Sequence, residues 1–423
     1  MVDEPALKRE LGLLEVTLSG VGIILGAGIY ALLGEAAALA GNAVWISFAL
    51  AALVALLTGL SYAELSSMYP RASAEYEYTL QAFGRRTAFV IGWLIILSGI
   101  IGAATVSLGF AAYLQALTGL WEVPSALALL AVLSLILFVG IRESAWVAIL
   151  FTLIEASGLV TVIALGLPRL GQVDYLETAQ GTAGVFQAAA LIFFAYQGFE
   201  EMVKLSEETR EPEKTIPRAL ILAVCASIVL YIAVALTAVS VLGWQGLGQS
   251  PAPFADIARA AFGEQAFQVM GIIALFATSN TVLLMLLASS RITYGMASSG
   301  SLPHSLARVH PRTRTPGLAI LAAAVFAGCF VFLEDIAFVA NVTNFTLFLT
   351  FITINAALIF LRFRQPENPR PFRVPLNIGR LPLLPLAGMA TCLFMISQLS
   401  LPVMALGVVL AVLGALISRW AVR

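Results

Sequence analysis

The chain has 423 residues, of which 60% are hydrophobic and only 11% charged, with a formal net charge of -1. Soluble domains run to roughly 45–50% apolar and 25% charged, so the composition excludes a soluble enzyme or binding module and indicates a polytopic membrane protein. The near-neutral charge leaves no basic footprint for nucleic acid.

The N-terminus is short and charged (Asp3, Glu4, Lys8, Arg9), and the first apolar run is too long for a signal-peptide core of about 7–15 residues. The first helix is therefore expected to remain in the mature protein. Divided at charged, Pro and Gly breaks, the chain offers twelve apolar stretches, near 11–40, 43–69, 86–118, 123–141, 145–168, 182–207, 217–243, 262–298, 315–334, 336–362, 380–399 and 401–421. The expected fold is all-α with twelve transmembrane helices. With a cytoplasmic N-terminus, every one of the 23 basic residues except Arg169 and Arg259 falls on the cytoplasmic side. Both termini are then cytoplasmic, and the plasma (inner) membrane is the expected location.

Within the first stretch, Gly20, Gly22, Gly26 and Gly28 fall among good helix formers. Each glycine weakens a helix by about 1 kcal/mol relative to alanine, so a break is predicted here. Freed backbone in lipid must be buried in protein or line a cavity. The sixth stretch repeats the signal: Leu191 to Tyr196 runs through Gln197 into Gly198, then Phe199, Glu200 and Glu201. Stretches one and six are five apart, an odd offset, so they cross the membrane in opposite senses. Two interrupted helices at equivalent places in two oppositely oriented halves point to an inverted-repeat transporter with a site near the midplane.

Several further stretches carry a resemblance. They are Gly20 to Tyr30, Tyr62-Ala63-Glu64-Leu65 leading to Tyr69-Pro70-Arg71, Gly140-Ile141-Arg142-Glu143-Ser144, Phe193 to Glu200, Glu207 to Ala219, Ser290-Arg291 to Pro303, and Arg370-Pro371-Phe372-Arg373-Val374-Pro375. In this order they resemble the amino acid-polyamine-organocation superfamily over essentially the whole chain. One departure is Pro70-Arg71-Ala72-Ser73-Ala74-Glu75-Tyr76, where that family usually has a glycine pair before an acidic or serine position and a tyrosine. The resemblance implies one transmembrane transporter domain over 1–423, with a five-plus-five inverted repeat (11–168 and 182–362) and two additional helices (380–421). It implies secondary active transport of amino acids or related amines by alternating access, without catalysis or a cofactor.

An α-amino acid carries a carboxylate and an ammonium on one carbon, and two broken helices can match both. The carboxylate is expected at the N–H groups of Gly26, Ala27 and Gly28, at the positive end of a half-helix. The ammonium is expected at carbonyls near Val21 and Ile24 in the first helix, and near Phe194 and Tyr196 in the sixth. By resemblance, the side-chain pocket draws on Ile95, Ile96, Ile100, Ala195, Gly198, Thr281 and Met285, with Phe194 as the outer gate. These residues include no carboxylate, which favours an uncharged or apolar substrate side chain over a cationic one.

Glu155 stands alone in an apolar stretch, and an intramembrane carboxyl is by default a proton, ion or partner site. It is either a titrating proton carrier or a hydrogen-bonding anchor; some relatives have a lysine there. Glu200 and Glu201 suit the start of a half-helix, with Lys204 spaced to pair with either, and Glu200 is also a candidate pH sensor. Thr278 and Ser279 are the candidates for a sodium site, although such hydroxyls commonly bond their own helix. A proton is the favoured coupling ion.

No metal site is expected. His304 and His310 fall in a basic loop, and Cys225, Cys329 and Cys392 read as small buried hydrophobes. The rival readings are an exchanger, which some relatives form with a partner subunit, a channel, and a non-transporting amino-acid sensor.

Overall fold

The computed structural model describes residues 10–71, 73–140 and 145–421. The N-terminal charges through Arg9, Ala72, the run from Ile141 to Ser144 with its Arg142, and Arg423 lie outside the described residues.

The fold is almost entirely helical. The helices are α1 (Leu13–Ile24), α2 (Gly28–Ala40), α3 (Val44–Met68), α4 (Ala74–Phe83), α5 (Arg85–Thr118), α6 (Glu122–Val139), α7 (Ala145–Gly166), α8 (Gly181–Ile192), α9 (Pro212–Gln249), α10 (Pro253–Phe262), α11 (Glu264–Ser298), α12 (Gly317–Val331), α13 (Ile336–Arg364), α14 (Leu383–Ser397) and α15 (Leu401–Ala421). A two-residue turn joins the short strands β1 (Asn377–Ile378) and β2 (Leu381–Pro382). Among the described residues, nine helical segments are long and apolar enough to cross a membrane, and α1, α12 and α14 are shorter apolar helices.

Two helices were not expected. α4 carries Glu75, Glu77 and Gln81 and so reads as a loop, yet it buries Ala74, Tyr78 and Ala82 before Gly84, at φ +89°, turns the chain into α5. α10 is amphipathic: Phe254, Ala255, Ile257 and Ala258 are buried, while Asp256 and Arg259 pair at 2.9 Å on its outer side. The cysteine expectation is corrected for two positions. Cys392 is buried, but Cys225 and Cys329 are exposed on the outer faces of α9 and α12, where a small apolar thiol suits lipid as well as it suits a core.

The centre of the bundle is packed by α5 against α11 and α13, and by α3 against α9. Around it the turns form two groups. In one, Leu11 bridges to Thr209, Tyr69 donates to Gln365 (2.6 Å), and Thr315 donates to the Phe138 carbonyl (2.9 Å). In the other, Asn42 and Trp244 both donate to Glu177 (2.9 Å each), and Arg169 reaches the Ala260 carbonyl (3.1 Å).

The first group contains a fully buried ion pair. Glu64, at the end of α3, accepts two hydrogen bonds from Arg362 of α13 and one from the Val374 N–H (2.8 Å), and Arg370 lies 3.2 Å away. Arg370 also closes the end of α13 by donating to the carbonyls of Leu361 (3.2 Å) and Gln365 (3.0 Å).

Candidate functional site

The first break is only three residues long. α1 ends at Ile24, Leu25 N–H closes onto the Val21 carbonyl (2.8 Å), and α2 starts at Gly28. The second break is longer and tighter in pitch. α8 gives way at Phe193–Tyr196 to a 3₁₀ turn, Gly198 takes φ +120°, and Phe199–Glu208 continues as 3₁₀ rather than α-helix. Sequence reading located both interruptions but not the 3₁₀ pitch of the second.

The breaks touch. A Cβ on Gly28 would lie 2.9 Å from the Ala195 Cα, and a Cβ on Gly198 would lie 2.9 Å from the Ile23 carbonyl oxygen. Glycine is required at both places because one backbone runs directly against the other. Of the expected substrate-binding residues, the structure therefore brings Ile24, Ala27 and Gly28 into one buried locus with Phe194, Ala195 and Gly198.

Side chains from other helices satisfy the groups freed by the breaks. Thr281 of α11 accepts from the Ala27 N–H (2.9 Å). Tyr231 of α9 reaches the carbonyls of both Ile24 (2.6 Å) and Ala195 (2.9 Å). Asn344 of α13 donates to the carbonyls of Ala190 (2.7 Å) and Leu191 (2.9 Å) at the end of α8. Tyr231 and Asn344 were missed by sequence reading: each is one of several polar residues in a long, mainly apolar helix, with nothing local to indicate its partner. Gln197, inside the second break, has a buried side-chain oxygen without a hydrogen-bond partner among the described residues.

The helix α5 closes one side. A Cβ on Gly102 would meet the Met285 sulfur at 3.1 Å and the Phe194 ring at 3.6 Å, so Phe194 and Met285 converge on the same face of α5. Ile95 lies on that face by helical spacing and is half-exposed, whereas Ile96 and Ile100 are buried. Tyr196 is buried and donates to the Phe48 carbonyl (3.2 Å), away from the break's own backbone. Val21 is half-buried, and its carbonyl is used by Leu25.

Thr278 and Ser279 donate to carbonyls of their own helix, at Ala274 and Leu275 respectively (2.7 Å each). Thr281, one turn further on, is the α11 hydroxyl that reaches the first break.

Glu155 is buried in α7, and among the described residues its Oε1 has no hydrogen-bond partner. What ties this residue to the site is its backbone: the Tyr30 hydroxyl donates to the Glu155 carbonyl (2.6 Å). Tyr30 also stacks on Phe254 at a centroid distance of 4.3 Å, and its own carbonyl accepts from Tyr113 (3.2 Å).

Beyond the second break, Glu200 accepts from the Gly198 N–H (2.9 Å) while Glu201 pairs with Lys204. Glu75 of α4 is buried beside this group, under Tyr62 and Tyr78. Burial pushes the Glu75 carboxyl above the usual carboxylate range, the Lys204 ammonium opposes this, and Glu201 reinforces it. Among the described residues, no three His, Cys, Asp or Glu side chains gather as metal ligands.

Comparison with known proteins agrees with this architecture. The sequence profile of the amino acid permease family matches residues 11–417. A branched-chain amino acid permease of Bacillus subtilis is 31% identical, with 94% of this chain and 89% of that protein covered. A methylthioribose transporter of the same organism is 31% identical, with 93% and 89% covered. Cationic amino acid transporter 4 of Homo sapiens is 31% identical, with 87% of this chain but 62% of that longer protein covered. A match over nearly the whole length, on a helical membrane scaffold with two interrupted helices in contact, establishes that the chain belongs to the amino acid permease family of the amino acid-polyamine-organocation superfamily.

Proposed function

We propose that the chain is a proton-driven secondary transporter of amino acids with uncharged, mainly apolar side chains, working by alternating access in the plasma membrane. The observation that carries this reading is the contact of the two helix breaks, which presents the N-terminal end of α2 and the carbonyls of Ile24 and Ala195 within one buried locus. In the proposed cycle, the substrate carboxylate takes over the Ala27 N–H from Thr281 and meets those of Gly26 and Gly28. The ammonium takes the carbonyls near Val21, Ile24, Phe194 and Tyr196, shared with or released by Tyr231. Ile95, Ile96, Ile100, Ala195, Gly198 and Met285 shape the side-chain pocket, and Phe194 gates it.

In the same proposal the chain crosses the membrane twelve times with both termini cytoplasmic, as two inverted five-helix repeats followed by α14 and α15. Each turn-to-turn contact named above joins turns on the same proposed side, which supports this, as does a chain order that puts all but two of the 23 basic residues on the cytoplasmic side. Glu155 carries the coupling proton. Burial without a counter-charge suits a carboxyl that moves with its proton on, and Glu200 is placed to respond to it from the second break. The back-bonded hydroxyls of Thr278 and Ser279 argue for a proton rather than sodium. The B. subtilis branched-chain permease supports an apolar substrate.

A second reading is exchange of cationic amino acids. The cationic amino acid transporter relatives favour it, with Glu155 as counter-charge to a side-chain ammonium.

Uptake into proteoliposomes under an inward proton gradient, with single amino acids as competitors, tests both. Accumulation abolished by a proton ionophore and competed by branched-chain amino acids supports the first reading. Uptake that requires internal preloading and is competed by arginine or lysine supports the second. If no amino acid competes, the substrate class is wrong.

A further inference from the structure

The motif Arg370-Pro371-Phe372-Arg373-Val374-Pro375 has no part in the transport reading, yet it helps to build a cavity. Between the end of α13 and the β1–β2 hairpin, a cavity of about 390 Å³ is lined by Arg362, Arg370, Arg373 and Arg380, with Glu367 and Asn368. Two of the four guanidiniums are committed to Glu64 and to the end of α13. Arg373 and Arg380 are exposed and, among the described residues, make no hydrogen bond or ion pair. Glu64 and Glu367 offset two of the four positive charges, so the cavity keeps a surplus of two.

Stiff backbone presents the two free arginines. Arg373 lies between Pro371 and Pro375, and Arg380 forms the two-residue hairpin turn with Gly379, whose φ is +62°. Guanidinium forks match phosphate oxygens two at a time. The cavity also lies where the chain leaves α13 and has yet to enter α14 at Leu383, at the boundary of the apolar segments.

We propose that this cavity is a binding site for a phosphate-bearing anion, the chemistry shared by anionic phospholipid headgroups and free phosphate. The lipid source rests on the topology proposed above, which puts the cavity at the anionic cytoplasmic leaflet.

The test uses the purified full chain. Native mass spectrometry after equilibration with mixed phosphatidylglycerol and phosphatidylcholine vesicles reads the lipid, and calorimetric titration with inorganic phosphate in neutral detergent reads the free anion. The wild type is expected to retain phosphatidylglycerol over phosphatidylcholine. The double variant R373Q/R380Q is expected to lose about 30-fold in that affinity, and R373K/R380K, which keeps the charge, to lose less. The single variant R380Q, at the exposed hairpin turn, is expected to lose about fivefold and keeps the test available if the double variant does not fold. Phosphate binding that the double substitution abolishes, without lipid preference, assigns the site to a free anion. A wild type that prefers neither anion, or glutamine variants that bind both as the wild type does, overturns the proposal. Neither readout requires transport, so a chain that binds the anion but moves no amino acid refutes the transport reading alone.

Discussion

The Tyr30 hydroxyl donates to the backbone carbonyl of Glu155 over 2.6 Å, which fastens α2 to α7 beside a carboxyl oxygen that has no hydrogen-bond partner among the described residues. Position and the proposed chemistry are thereby separated at Glu155: the main chain holds α2, and the proton-carrier role proposed above falls to the side chain.

Glu155→Gln is therefore expected to fold normally and to keep substrate-gradient-driven flux, while losing ionophore-sensitive accumulation. Tyr30→Phe is expected to do the reverse, lowering stability by about 1 kcal/mol with proton dependence intact. Proteoliposome uptake with and without an imposed proton gradient separates the two. Full gradient-driven accumulation by Glu155→Gln would remove the carrier role.

Tyr231→Phe deletes one oxygen that serves two carbonyls from different helix breaks. Leaving them unsatisfied is expected to cost about 1–3 kcal/mol, read as a lower melting temperature in detergent, together with a marked loss of uptake. An unchanged melting temperature would mean that the carbonyls find other partners.

Gly198→Ala puts a Cβ against the Ile23 carbonyl at a φ of +120°. Strain of about 1–3 kcal/mol is expected to separate the two breaks, so that the purified variant is monodisperse yet no longer binds substrate. Wild-type substrate-induced thermal stabilisation in this variant would count against a site between the breaks.

Glu75 supplies a pH dependence outside the spanning segments. Its carboxyl titrates above the ordinary carboxylate range in the folded protein because it is buried, with Lys204 opposing and Glu201, Tyr62 and Tyr78 also facing it. A raised folded value means that its contribution to stability is complete below the unfolded value and is lost as pH rises through the folded one. Glu75→Gln is expected to flatten the fall in melting temperature as pH rises above the ordinary carboxylate range. Parallel profiles for wild type and variant would show that Glu75 does not titrate in that window.

The sequence made the helical stretches and both breaks legible for a simple reason. Apolar runs and glycine clusters such as Gly20 to Gly28 are local signals, and a bilayer leaves few alternatives to a helix. What it hid was non-local. Tyr231 finds Ile24 across 207 positions, and no pattern within α9 marks that partner. Asn344 is hidden in the same way. α4 was missed because its acids suggest a loop, although Tyr78 and Glu75 are buried. The exposed thiols of Cys225 and Cys329 reflect another ambiguity, since apolar sequence does not distinguish a face turned to protein from one turned to lipid.

The ion pair of Glu64 with Arg362 also bears on how the protein is made. Its partners are separated by 298 positions, so at about 5–20 residues per second the carboxylate waits roughly 15–60 s for its arginine to leave the ribosome. Until then the C-terminal end of α3 holds a carboxylate whose final environment is fully buried. A chain that stops before α13 never closes that end, whereas a complete chain neutralises the carboxylate by its own assembly.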